Sequence, residues 1–208
     1  MPALVSSLPP SSLFVRYRTP LLVVAFGVWG ASLIVICAYL LGGHLLTLPT
    51  PDLDNPVLRG AIDARRQTPE NWVMLHVLYG DCGCSRRVVH HLSERGPSGL
   101  AEERVIIVDP RPADLAELEG AGFAVELSSR EALATAFAVR AAPILAIAAP
   151  DGTLRYVGGY TARKRGPDIA DLALLHASRS GDDAEALPLF GCAVSRELAV
   201  QVDPLGLR

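Results

Sequence analysis

Between Arg18 and Asp52 the chain carries no Asp, Glu, Lys or Arg, and within that stretch Leu21 to Leu41, LLVVAFGVWGASLIVICAYLL, is a continuous apolar run. At about 1.5 Å of rise per residue, a helix of this length spans a hydrocarbon core of about 30 Å. Pro20 falls where a first helical turn tolerates proline. A cleaved signal peptide would have an apolar region of about 7 to 15 residues and a small-x-small cleavage site, and the sequence shows neither. Ile36 precedes Cys37 where a lipoprotein signal carries a small residue, so Cys37 reads as an apolar filler. The expected layout is a tail over residues 1–20, a transmembrane helix over 21–41 and a linker over 42–56. That linker, GGHLLTLPTPDLDNP, is rich in Gly and Pro and has no period.

Arg16 and Arg18 precede the span, and no Lys or Arg follows it until Arg59. By the positive-inside rule the N-terminus is expected in the cytoplasm and the rest of the chain outside. Setting those two arginines aside leaves 17 basic against 22 acidic residues, a net charge of −5 for the exported part. Nucleic acid and an anionic bilayer surface are poor partners for it. Half of the 208 residues are hydrophobic, enough to build one ordinary domain beyond the span.

Three cysteines, Cys82, Cys84 and Cys192, then lie where disulfides form and persist. An odd number leaves one thiol over, or exchanging. A domain of this size needs no disulfide to compensate for a thin core, so chemistry is the better reason for them.

The exported sequence alternates strands and helices. Val57 to Arg66 is a short helix candidate, and Trp72 to Tyr79, WVMLHVLY, reads as a buried strand ending at Gly80. Cys82 and Cys84 follow at once, and Val88, Val89 and Leu92 mark a helix through Arg95, which puts the thiols at a strand-to-helix junction. Further strands are expected at Arg104–Asp109 and Phe123–Leu127, with helices at Ala113–Glu119 and Ser128–Val139. Ala142 to Tyr160 reads as two strands around the turn at Asp151-Gly152, and Pro167 to Ser178 as a helix. Cys192 stands before a last short helical pattern in the tail.

In this order the sequence resembles the thioredoxin superfamily over roughly residues 71–178. LYGDCGCSRR is similar to the family's active-site turn, and VRAAPILAIAAPDGTLRYVGGY to its proline loop and antiparallel hairpin. The resemblance implies an α/β, thioredoxin-like fold, a central mixed sheet flanked by helices, over residues 57–186. A C-terminal extension covers 187–208 and an insertion 110–127. It also implies a cis peptide bond before Pro143, with that proline facing the thiols, and no organic cofactor. The anchor resembles that of membrane-tethered, envelope-type relatives, which implies a bacterial inner membrane and a periplasmic domain.

The family's usual motif is Cys-x-x-Cys, whereas this chain has Cys82-Gly83-Cys84-Ser85. One alignment places Cys82 at the nucleophile and Ser85 at the resolving position; the other matches Cys84 to the second cysteine and leaves Asp81 at the first. The former keeps the spacing of strand, turn and helix. A thiolate at a helix N-terminus is stabilised by unpaired N–H groups, with Arg86 and Arg87 adding to this and Asp81 opposing it. The site expected is therefore Cys82 as nucleophile, Cys84 as its resolving partner, Pro143 beside them and Cys192 as a third thiol able to attack a strained Cys82–Cys84 bridge. Protein thiols and disulfides are the expected partners. Two alternatives use the same sequence: a Cu(I)-binding or metallochaperone domain, since soft thiolates suit that ion, and a redox-inert interaction module. His90 and His91 lie too far along the helix to share an ion with the thiols, and His76 and His176 read as packing or surface residues.

Overall fold

In the computed structural model, residues 12–45, 47–164, 166–182 and 185–203 are described. Most of the expected cytoplasmic tail, residues 1–11, and the end of the C-terminal extension, 204–208, lie outside them. The chain divides into two units after Leu45.

The first unit is helix α1 (Ser12–Leu45), which extends past both ends of the apolar run and holds Pro20 in its interior rather than its first turn. Its stretch Pro20–Leu40 is long and apolar enough to cross a membrane. Leu21, Phe26, Trp29 and Ile34 are all exposed along it. A signal sequence would meet the same criterion of length and composition.

The second unit opens with α2 (Pro56–Asp63), which starts where the sequence supplies both a first-turn proline and a cap: Asn55 Oδ1 accepts the N–H groups of Val57 and Leu58. Strand β1 (Val73–Tyr79) leads into α3 (Gly83–Arg95), followed by β2 (Glu102–Val108), α4 (Pro112–Gly120), β3 (Ala124–Ser128) and α5 (Arg130–Ala136). Then come β4 (Ala141–Ala142), β5 (Ile144–Ala148), β6 (Leu154–Gly158), α6 (Asp171–Ser180), β7 (Cys192–Ala193) and α7 (Arg196–Val202).

Five strands form one mixed sheet in the order β3-β2-β1-β5-β6. β2 and β3 run parallel to β1, and β5 and β6 close the sheet as an antiparallel hairpin. The segment expected as an insertion, 110–127, supplies α4 and the edge strand β3. β1 is central and every one of its residues is buried, which explains its unbroken apolar run. Leu75 and Val77 face a core closed by α2, α5 and α7; Met74 and Leu78 face one closed by α3, α4 and α6. Helix α6 begins at Asp171, four residues after Pro167, and the N–H of its N-cap Ala170 donates to the carbonyl of Tyr160.

The segment after α1 and the tail both join this unit. Leu48 pairs with Leu189 in an antiparallel bridge, and each is buried. β4 and β7 form a separate two-stranded ladder. The tail is thus built into the domain as strand and helix.

Candidate functional site

The turn between β1 and α3 is held tightly. Gly80 N–H donates to the carbonyl of Val108 at 2.9 Å, and a Cβ at Gly80 would collide with the Asp109 carbonyl, so only glycine lets the chain leave the sheet here. Cys82 is the N-cap of α3, in extended conformation with no side-chain capping bond, and is fully buried. Ser85, at the place of a resolving thiol in the first alignment, is buried too and accepts the Tyr79 N–H at 3.1 Å. Its hydroxyl fastens the helix start to the end of β1.

Cys82 is joined to Cys192 in a disulfide with Cα atoms 5.8 Å apart, and Cys84 is a free, partly exposed thiol. Of the two pairings open to Cys82 in the sequence, a local bridge to Cys84 and its exchange for a long-range link to Cys192, the structure holds the second. Side chains two residues apart at a helix start point to different sides of it, so Cys84 is turned away while Cys192 arrives from across the chain. What delivers Cys192 is the β4–β7 ladder, where it stands opposite Ala142. The Ala142–Pro143 peptide is cis, and the Ala142 carbonyl oxygen lies 3.8 Å from Cys82 Sγ. Cys82, Cys192 and the start of the proline loop therefore form one contiguous site. Cys84 opens onto a neighbouring hollow with Pro143, Tyr160, Ile169 and Phe190 in its walls.

The charges expected to tune the thiols are arranged unevenly. The Arg86 guanidinium lies close over Gly83, at the first turn of α3. Arg87 instead donates to the carbonyl of Gly166 at 2.5 Å, which ties α3 to the loop after β6. Asp81 is drawn outward, 3.4 Å from the Tyr79 hydroxyl and 3.9 Å from Arg130, whose guanidinium also bonds Asp109. Cys82 itself stands at the positive end of α3, as its N-cap.

Behind the site lies a buried polar network around His76, a residue whose place in the sequence suggests only packing or surface. His76 is fully buried, its Nδ1 3.0 Å from the Tyr160 hydroxyl and its Nε2 3.3 Å from Glu103. Arg95 bonds Glu103 at 2.6 Å and Asp171 at 2.9 Å, and Asp171 also meets His91 at 3.0 Å. Burial alone would raise the Glu103 pKa, but hydrogen bonds from His76, Arg95 and Ser98 outweigh it and hold the carboxyl well below its ordinary range. Burial pushes the Tyr160 phenol well above its usual value, so it stays a neutral donor. The signal was periodicity: His76 shares a face of β1 with Leu78, and Glu103 a face of β2 with Val105. His90 is exposed on α3, and His176 is exposed on α6.

No cluster of three or more metal-ligating side chains occurs among the described residues. No protein-family model matches the sequence, and no curated protein is significantly similar to it. Among solved structures, an uncharacterized conserved protein from Geobacillus kaustophilus is similar at 16% identity, with 72% of this chain and 90% of that one covered and a TM-score of 0.51. A putative thioredoxin from Neisseria meningitidis is similar at 14% identity over 56% and 79% of the two chains, with a TM-score of 0.42. The thioredoxin domain of a thiol-disulfide oxidoreductase from Bacteroides vulgatus is similar at 13% identity over 52% and 80%, with a TM-score of 0.37. The second unit has a thioredoxin-like fold with a disulfide in it: a mixed five-stranded sheet between helices, with a thiol-bearing turn and a cis-proline loop meeting at one end.

Proposed function

We propose that this protein is a membrane-anchored, extracytoplasmic thiol-disulfide oxidoreductase that exchanges disulfides with protein clients through Cys82, with Cys84 and Cys192 as its partner thiols and Pro143 bordering the site. The observation that carries the reading is a disulfide and a free thiol in one turn, with Cys82 bonded to Cys192 and Cys84 two residues away. A client thiolate that attacks Cys82 breaks the bond to Cys192, which leaves as a thiolate. If a second client thiolate then attacks, the client departs with a disulfide and its two electrons remain on Cys82 and Cys192 as thiols. If Cys84 attacks instead, the client leaves reduced and the bond passes to Cys82 and Cys84, with no net oxidation. The same steps in reverse reduce a client disulfide. The anchor is α1, and Arg16 and Arg18 ahead of its apolar stretch favour an inside N-terminus in a bacterial inner membrane.

The test is stoichiometric. The oxidised full chain in detergent micelles, mixed with a reduced two-cysteine peptide, should convert one peptide to its disulfide per chain, and Cys82→Ser should abolish this. With Cys84→Ser and Cys192→Ser combined, the lone Cys82 thiolate should instead attack the oxidised form of the same peptide, breaking its disulfide, and hold it as a mixed disulfide while the peptide's other sulfur leaves as a thiol. A folded, oxidised chain that neither exchanges nor traps would make the bond a static brace and the domain a redox-inert module.

A further inference from the structure

The tail around Cys192 lies on the domain as a bound peptide lies on a sheet edge. Cys192 and Ala193 pair antiparallel with Ala142 and Ala141, and the N–H groups of Val194 and Ser195 both donate to the Arg140 carbonyl, at 2.8 and 3.1 Å. Among the described residues β7 is the only strand partner of β4. Backbone pairing of this kind accepts any extended chain, and side-chain fit adds the selectivity.

Three consecutive tail residues meet three different features of the site. Cys192 reaches Cys82. A Cβ at Gly191 would run into the Ala142 carbonyl and crowd Pro143 Cδ, so the residue before the cysteine has no room for a side chain. Phe190 borders the hollow beside Cys84, with Pro143 and Ile169. Cys82 is fully buried while bonded to this segment, so the ladder has to loosen before a client thiolate can attack its sulfur and displace Cys192.

We infer that Phe190–Ala193 holds the place of a client strand: the site takes extended segments that carry a cysteine preceded by glycine and, one residue earlier, by an aromatic or apolar side chain. The chain's own tail is the resident competitor for that place. The inference rests on the exchange reading above and names its substrate class. In the step itself the client thiolate attacks Cys82 Sγ, the bond to Cys192 breaks, and the Cys192 thiolate leaves with its strand and takes a proton from water. One disulfide is lost and one formed.

The test uses the full chain in detergent with Cys37→Ser, Cys84→Ser and Cys192→Ser, which leaves Cys82 as the lone thiol. Synthetic peptides of the sequence Leu-Phe-Gly-Cys-Ala-Val, activated as mixed disulfides with thionitrobenzoate, report attack by the released chromophore. Replacing the peptide glycine by alanine should slow the reaction about ten-fold or more, the usual range for one methyl group too many in a fitted site. Replacing its phenylalanine by serine should slow it as well. Adding Gly191→Ala to the protein should speed the matched peptide, because the tail can no longer sit on β4.

Equal rates for the three peptides at a reacting Cys82 overturn the inference and leave the exchange reading standing. No reaction with any peptide or with the small-molecule disulfide, in a chain of unchanged circular dichroism, removes both. A second measurement needs no substituted protein: the matched peptide, as a free thiol, is mixed with the wild-type oxidised chain and its adduct mapped by mass spectrometry. Attachment to Cys82 that depends on the peptide glycine is the expected result. Attachment to Cys192 alone, or without regard to the glycine, overturns the inference.

Discussion

Cys192 stands opposite Ala142 in the β4–β7 ladder, and the carbonyl oxygen of that same Ala142 lies 3.8 Å from Cys82 Sγ. One two-residue ladder therefore fixes both sulfurs of the disulfide, one through strand pairing and the other through packing against the loop. The bond and the ladder support each other, and weakening either exposes the other.

The disulfide spans 110 residues of sequence, and in the chain-entropy model closing a loop of that size stabilises the fold by about 4 to 5 kcal/mol. Reduction should therefore lower the urea midpoint clearly, with a loss of about 2 to 5 kcal/mol. Thiol titration of the denatured chain should count two free thiols, Cys37 and Cys84, before reductant and four after it.

Arg95 neutralises two buried carboxylates at once, Glu103 and Asp171. Replacing it by Met leaves Glu103 to His76 and Ser98, and Asp171, among the described residues, to His91. Breaking a buried pair from one side costs about 3 to 5 kcal/mol, so Arg95→Met should be among the most destabilising single changes in the domain. Denaturant unfolding measures it, and a change below about 1 kcal/mol would mean that the network is not buried as described.

The depressed Glu103 pKa sets a direction with pH. Its folded value lies below the unfolded one of about 4.3, so its contribution is complete above that pH and is lost as pH falls toward the folded value. Stability of the wild-type domain should decline between about pH 5 and pH 3, and Glu103→Gln should flatten that part of the curve. Urea midpoints measured across the range decide it; equal slopes in the two proteins would count against the assignment.

Topology is open to a direct measurement. A reporter that is active only outside the cytoplasm, fused after Arg208, should be active, and neutral replacements of Arg16 and Arg18 should reduce that activity. Activity only of a cytoplasmic reporter would overturn the proposed location.

Much of the framework was legible because it depends on local signals. The apolar run of β1, the turn at Gly80 and the hairpin around Asp151-Gly152 each declare themselves over a few residues, and the elements lie within a few residues of where they were expected. The choice between Cys84 and Cys192 was not legible in the same way. It depends on a pairing between residues 142 and 192 that no local pattern encodes, and β7, at two residues, is too short to show a period. The network around Glu103 was hidden for a different reason: its charges sit in a sequence, EERVIIVD, whose polar end looks solvated until alternation along β2 is counted inward from Val105. β3, largely exposed at the sheet edge, still carries Val125 and Leu127 at strand spacing.

The separation of Cys82 from Cys192 along the chain also has a consequence in time. At about 5 to 20 residues per second, ribosomes need roughly 5 to 20 s to add the 110 residues between the two cysteines. Throughout that interval Cys82 exists without Cys192, and the thiol nearest to it in sequence is Cys84. The nascent chain thus passes through a stage in which Cys84 is the only other thiol outside the apolar run, and the arrival of the last strand ends it.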